Sequence, residues 1–134
     1  DLIFMFQKEL GEKILGQFQS NNYSRLSILT NYKLKSKKKF FVTNNCFFPR
    51  PKVKSVVIHF NPIIKKFFKI KKIENLEKVT NVLFSGKRKM INKNIKKLLS
   101  QKELKKIPNI KFDSRPLEIN PETYYKITEL LEEK

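Results

Sequence analysis

Apolar residues follow two different rhythms along this chain. Up to about residue 60 they come in short blocks, Leu2 to Phe6, Phe40 to Val42 and Val56 to Phe60. Beyond residue 73 they recur every three or four positions. The first rhythm predicts strands and the second predicts helices. Leu2-Ile3-Phe4-Met5-Phe6 has no polar break and predicts a strand buried on both faces, of the kind found in parallel sheets. Lys39 to Thr43 and Ser55 to Phe60 predict two more strands, the second ended by Asn61-Pro62. Leu10, Ile14 and Leu15 predict a helix over residues 9–18, weakened by Gly11 and Gly16. Asn21-Asn22 marks a turn, and Ser24 is placed to cap a second helix whose face carries Leu26, Leu29 and Tyr32. The charge run Lys33 to Lys39 reads as a solvated connection.

In the second half, Leu76, Val79 and Leu83 mark one helix. Ile91, Ile95 and Leu98 mark another, opened by Lys87, Arg88 and Lys89. Asn120-Pro121-Glu122 is a helix start: a capping Asn, Pro at the first helical position and an acid in the first turn. Tyr124, Ile127 and Leu131 form its buried stripe. Between the halves, Ile63 to Ile73 alternates Lys pairs with Ile and Phe pairs and predicts a linker. The expected division is therefore 1–62 and 63–134. The first part reads as the tail of an α/β domain, because three strands and two helices leave a parallel strand without cover.

Charge changes this picture by pointing to a partner. The net charge is +18, and its distribution is uneven. Residues 1–32 balance three basic against three acidic side chains, whereas residues 33–72 hold thirteen basic and no acidic ones. So basic a chain meets a polyanion, nucleic acid first and a membrane surface second. No apolar run approaches the ~20 residues needed to span a bilayer, and no signal-peptide pattern opens the chain. One cysteine excludes an internal disulfide and a cysteine-based metal cluster, and a reducing cytosol is the simplest home.

The basic block surrounds Phe47-Phe48-Pro49-Arg50-Pro51-Lys52-Val53, just ahead of a β-branched run. Each proline fixes φ and withholds an N–H, so the loop is stiff and unsuited to a central strand. Such a loop holds an aromatic ring where a base can stack, with Arg50 and Lys52 beside it for phosphate. Arg25, after a turn at a helix start, either meets phosphate or pins the loop. Lys87, Arg88 and Lys89 are read as RNA contacts whose placement at a helix start would oppose the helix dipole. Cys46 reads as a small loop residue. His59, with no second His and no neighbouring acid in its strand, reads as structural.

Four stretches, in order, resemble the rRNA adenine N6-dimethyltransferases of small-subunit rRNA, specifically their C-terminal half. Met5-Phe6-Gln7-Lys8-Glu9-Leu10 is similar to the family's Met-x-Gln-Lys-Glu-Val. Tyr23-Ser24-Arg25-Leu26-Ser27 is similar to its Tyr-Gly-Arg-Leu-Ser, with Ser24 in place of Gly. Phe47 to Val57 is similar to its Phe-x-Pro-x-Pro-Lys-Val-x-Ser-x-Val, and Phe84 to Asn94 to its Phe-Ser-x-Arg-Arg-Lys-x-Leu-x-Asn. Arg115-Pro116-Leu117-Glu118-Ile119 matches the family's Arg-x-Glu-x-Leu more loosely.

The resemblance implies an α/β fold: the C-terminal part of a Rossmann-like S-adenosylmethionine-dependent methyltransferase sheet, followed by a small all-helical rRNA-docking domain. It implies dimethylation of adenosine N6 in small-subunit rRNA during ribosome biogenesis, in the cytoplasm, by a monomer meeting a 30S assembly intermediate. It gives Phe47 the role of stacking on the flipped target adenine, with Phe48 second. Arg25, Arg50, Lys52, Lys87, Arg88 and Lys89 would contact RNA. No metal is implied. The family's Gly-rich turn, ribose-binding acid and Asn-Leu-Pro-Tyr motif do not occur here, so this segment alone is expected to lack the donor site and to be inactive. Two other readings remain: a large-subunit rRNA adenine methylase of the erythromycin-resistance type, and a non-catalytic rRNA-binding assembly factor.

Overall fold

A computed structural model describes residues 1–42, 54–64 and 67–133. The chain forms two compact units, Asp1–Lys65 and Lys66–Lys134.

The first unit runs β1 (Leu2–Gln7), α1 (Lys8–Leu15), α2 (Arg25–Lys33), β2 (Leu34–Val42) and β3 (Ser55–Pro62). Its sheet order is β1-β3-β2, with β3 antiparallel to both neighbours. It follows that β1 and β2 point the same way but never touch. Burial alternates along β3, as expected for a strand with one covered face. Val56, Ile58 and Phe60 are buried with Ile14 of α1, and Phe6, Leu15, Leu26 and Leu34 pack around them. Phe6 meets Phe60 edge-on at 6.1 Å, one of the favoured aromatic geometries. His59 has the Asp1 carboxylate 3.9 Å from its Nε2, an acid supplied from across the β1–β3 pair.

Two expectations are corrected here. The Leu2–Phe6 run forms a strand, but an antiparallel-paired one, and Leu2, Ile3, Phe4 and Met5 are 46, 65, 50 and 52% exposed. Among the described residues β1 pairs with β3 alone, along one edge. The Lys33–Lys39 run is not a solvated connection. From Leu34 on it is part of the nine-residue β2, with a bulge between Lys38 and Phe40. Leu34 and Ser36 turn partly inward while the lysines face solvent, and a lysine-lined edge strand resists pairing with another chain.

The α1–α2 corner depends on close approach. The helix α1 ends at Leu15 rather than near residue 18. Gly16 follows it, and a Cβ there would overlap the carbonyl of Asn22. Ser24 caps α2 through a capping box with Ser27, and its hydroxyl also donates to Lys13 O at 3.0 Å, tying the two helices together. The buried face of α2 is Ser27, Ile28 and Tyr32 rather than Leu26, Leu29 and Tyr32, because the capping hydroxyl of Ser27 turns inward with it. Gly11 does more than weaken α1. A Cβ there would overlap Val56 Cγ1 and lie 3.4 Å from Ile58 Cδ1, so glycine lets the helix settle onto β3. Gly11→Ala is expected to destabilise the unit by about 1–3 kcal/mol through overpacking, measured as a lowered denaturation midpoint. An unchanged midpoint would show that the helix shifts without cost.

The second unit is helical: α3 (Ile73–Phe84), α4 (Asn92–Ile95), α5 (Gln101–Leu104), a 3-10 turn (Pro116–Glu118) and α6 (Pro121–Glu132). Leu76, Val79 and Leu83 of α3 are buried, as are Tyr124, Ile127 and Leu130 of α6. Leu130 takes the buried position expected for Leu131, which is half-buried. Asn120 caps α6 as expected, accepting from Thr123 N at 2.9 Å, with Pro121 following it. Ile91, Ile95 and Leu98 are all buried, but α4 is a single turn. It tightens after Ile95, where Lys97 N and Leu98 N donate to the carbonyls three residues back, of Asn94 and Ile95.

No side chain of its own caps α3. Glu132, at the far end of α6, does so instead. Its carboxylate accepts from Lys71 N at 2.8 Å, Lys72 N at 2.9 Å and Asn75 Nδ2 at 2.7 Å. Burial tends to raise its pKa, but the Lys71, Asn75 and Lys72 hydrogen bonds and the Lys71 charge outweigh burial and hold it below the ordinary 4.5. A carboxylate with a lowered folded pKa gives its full stabilisation above the ordinary value and loses it as pH falls through the lower one. The helical unit is therefore expected to weaken in acid below about pH 4.5. Glu132→Gln should flatten that limb of the stability–pH curve, read by thermal melts from pH 3 to 7. If the limb keeps its slope, other carboxylates set it.

Candidate nucleic-acid interface

Residues Gln7, Ser55 and Val42 lie in one row across the sheet. The carboxyl ends of β1 and β2 therefore meet the start of β3 at a single edge. In open α/β sheets this end of the strands is where ligands bind. The connection from β2 to β3 leaves from it. That connection carries Phe47, Phe48, Arg50, Lys52 and Cys46, all of which lie outside the described residues. The described part of the same edge is basic and aromatic. Lys8 N donates to Lys54 O at 2.8 Å, fixing the start of α1 beside β3. Phe41 is 43% exposed, with the Lys38 ammonium 4.4 Å and the Lys8 ammonium 5.8 Å from its ring centre. Cations over a ring face are held there by its quadrupole. Lys8 also lies 3.9 Å from Glu12, one helical turn on.

Arg25 is the first residue of α2, directly after the Ser24 cap, and is half-buried. The preceding Tyr23 is buried and meets Phe18 edge-on at 5.3 Å. The Arg25 backbone is thus fixed on both sides.

The second unit brings together cations that are far apart in sequence. Lys87, Arg88 and Lys89 do not open a helix. They lie in a turn just after the end of α3, closed by Lys89 N donating to Gly86 O at 2.8 Å. The sign of the dipole interaction is therefore reversed: cations beyond a helix C-terminus are favoured. Lys87 and Arg88 line an open cleft with Arg115, Leu117 and Glu118, while Lys89 is exposed in the same turn but off the cleft.

Tyr124 joins the two walls of this cleft. Its buried ring stacks on Phe84 at the end of α3, centroids 5.7 Å apart, and its hydroxyl donates to Pro116 O in the 3-10 turn. The single acid, Glu118, is already engaged: its carboxylate accepts from Arg115 N at 2.9 Å. Three cations facing one opening, with the one carboxylate held by the backbone, form a receptor for phosphate oxygens. Sequence reasoning did not bring Arg115 together with Lys87 and Arg88. Its signal was the Arg-x-x-Glu spacing, which closes the 3-10 turn.

Gly11 is packed against Val56 and Gly16 against Asn22, and Gly86 lies in the turn after α3. None forms a glycine-rich turn at a strand end. Among the described residues no group of His, Cys, Asp and Glu is arranged to hold a metal ion, and no helix is long and apolar enough to cross a membrane.

Residues 1–133 match the family described as ribosomal RNA adenine dimethylase. A ribosomal RNA small subunit methyltransferase A from Pelagibacter ubique (strain HTCC1062) is 38% identical over 133 residues, which is 98% of this chain and 50% of that protein. The protein of the same name from Malacoplasma penetrans (strain HF-2) is 35% identical over 128 residues, 93% of this chain and 46% of that protein. This chain spans about half the length of these relatives. Among solved structures, a dimethyladenosine transferase from Plasmodium falciparum superposes with a TM-score of 0.72 at 24% identity, covering 93% of this chain and 54% of that one. The 23S rRNA methyltransferase ErmE superposes with a TM-score of 0.62 at 18% identity, covering 97% and 54%. These two likenesses establish the fold, a portion of the methyltransferase fold carrying a three-stranded sheet and helices. With the match running through both units, the chain belongs to the ribosomal RNA adenine dimethylase family.

Proposed function

We propose that this chain is the RNA-engaging half of an S-adenosylmethionine-dependent enzyme that dimethylates adenosine N6 in small-subunit rRNA. The observation that carries this reading is the family match over residues 1–133, joined to relatives named for the small subunit. The Lys87–Arg88–Arg115 cleft supports it by supplying a phosphate receptor. Residues 1–62 act as the end of the methyltransferase sheet, and residues 63–134 as the rRNA-docking part.

The exocyclic N6 lone pair is conjugated into the ring, so the amine is a poor nucleophile. Most of the available acceleration lies in positioning it. The chain's own residues serve that end in two ways. Phe47 stacks on the extruded adenine, with Arg50 and Lys52 on neighbouring phosphates; a base has to leave its stack to be reached at all. Arg25, Lys87, Arg88 and Lys89, with Arg115, hold the RNA in register. The donor supplies the methyl group, and its site lies in the part of the relatives' length that this chain does not span. The chain by itself is therefore inactive.

The test uses the intact protein. With methyl donor it should form dimethyladenosine on unmethylated small-subunit particles, read by mass spectrometry of digested rRNA. Modification of large-subunit rRNA instead would move the protein to the erythromycin-resistance class. Absence of methylation on either would leave a non-catalytic assembly factor.

A further inference from the structure

The helical unit contains a second concave site, distinct from the cationic cleft. A cavity of about 310 Å³ is lined by Asn92, Lys96, Gln101, Leu104, Lys105 and Phe112. Phe112 is 39% exposed, and its place is fixed by the backbone. It lies in a turn closed by Ser114 N donating to Lys111 O at 3.1 Å. That turn is pinned to the start of α4 by Ile91 N donating to Ser114 O at 2.9 Å. The ring is thus presented on a short, braced loop beside Asn92. Leu104, buried, is the apolar part of the cavity.

The polar residues of the lining are two amides and two ammonium groups. Asn92 and Gln101 carry amides, the groups that pair with base edges. The Asn92 Oδ1 already accepts from Lys93 N at 2.8 Å, which orients its amide. Lys96 and Lys105 are exposed and make no ion pair among the described residues. No carboxylate lines the cavity. A ring face, two amides and two cations around a small cavity match the three parts of a nucleotide: base face, base edge and phosphate. The same turn leads directly into Arg115, which faces the cationic cleft.

We propose that this cavity holds one unpaired nucleotide of the bound RNA, its base stacked on Phe112 and its phosphate between Lys96 and Lys105. The site rests on the RNA-binding reading above and is separate from the Phe47 target-base site. It gives the docking domain a preference for RNA with an extruded base near the docked backbone.

The test is binding of the full chain to a short single-stranded oligoribonucleotide carrying one 2-aminopurine, followed by fluorescence. Stacking should quench the probe. Phe112→Ala should abolish the quench and weaken binding about 5- to 150-fold, and Phe112→Tyr should restore both. Lys96→Gln with Lys105→Gln should lower the slope of log affinity against log salt by about 0.7, one phosphate contact. A fully paired duplex should bind the wild type and Phe112→Ala equally. Circular dichroism melts of each variant serve to separate loss of binding from loss of fold. If Phe112→Ala binds and quenches like wild type while Lys87→Ala/Arg88→Ala/Arg115→Ala loses affinity, the cavity proposal fails and the RNA reading stands. If wild type binds no RNA, both fail. If free adenosine monophosphate displaces the oligonucleotide at equal concentration, the cavity is a free-nucleotide site and the proposal fails.

Discussion

Replacing Lys87, Arg88 and Arg115 together by alanine in the intact protein is expected to weaken small-subunit rRNA binding about a hundredfold near 0.1 M salt. These three cations face one cleft from two segments, and its one acid is held by backbone. Each phosphate contact contributes about 0.7–0.9 to the slope of log affinity against log salt, so the triple variant should lose about 2–3 of that slope. All three side chains are exposed, so stability should change by only about 0.5 kcal/mol or less apiece. Lys89→Ala, in the same turn but off the cleft, should cost much less. An unchanged salt slope in the triple variant would mean that the cleft does not touch phosphate.

Phe47→Ala in the intact protein is expected to slow methylation of unmethylated small-subunit rRNA by about 5- to 150-fold. One aromatic–base stack is worth roughly 1–3 kcal/mol, and here it would be felt where the amine is positioned for transfer. Donor affinity, measured by calorimetry, should stay the same, because the proposed function puts the stacking ring and the donor site in different parts of the protein. Phe48→Ala should have a smaller effect. Equal rates for Phe47→Ala and wild type would remove this ring from the reaction.

Local chemistry was legible in the sequence wherever it acts over a few residues. Ser24 and Asn120 cap the helices they precede, and each does so with its own hydroxyl or amide. The Ser55–Phe60 run forms a strand, as expected, and Pro62 is its last residue. What the sequence did not carry is what depends on neighbours distant along the chain. The Leu2–Phe6 run reads equally as a central or an edge strand until its partner is known, and that partner is β3, at residues 55–62. The lysines of β2 suggested solvent, and they do face solvent, but from a strand edge rather than a loop. The turn at Lys87–Lys89 looked like a helix start because buried Ile91 and Ile95 follow at helical spacing; the helix they share is one turn long. The cleft needed Arg115 from a separate segment, joined through Tyr124, and no spacing rule connects those positions. The family resemblance, by contrast, was readable from four short stretches in order, and it is the part the comparison supports over the full length.

The strand order β1-β3-β2 also fixes a sequence of events during synthesis. The central strand of the first unit is the last of the three to leave the ribosome. At a translation rate of about 5–20 residues per second, the stretch from Gln7 to Ser55 takes roughly 2–10 s. Through that interval the edge of β1 that pairs with β3 stays open. When β3 arrives it closes both pairings at once, and Val42 and Ser55 come to lie in one row of the sheet. A nascent chain stalled before residue 55 would keep an apolar strand edge open in both β1 and β2, a natural target for chaperone capture.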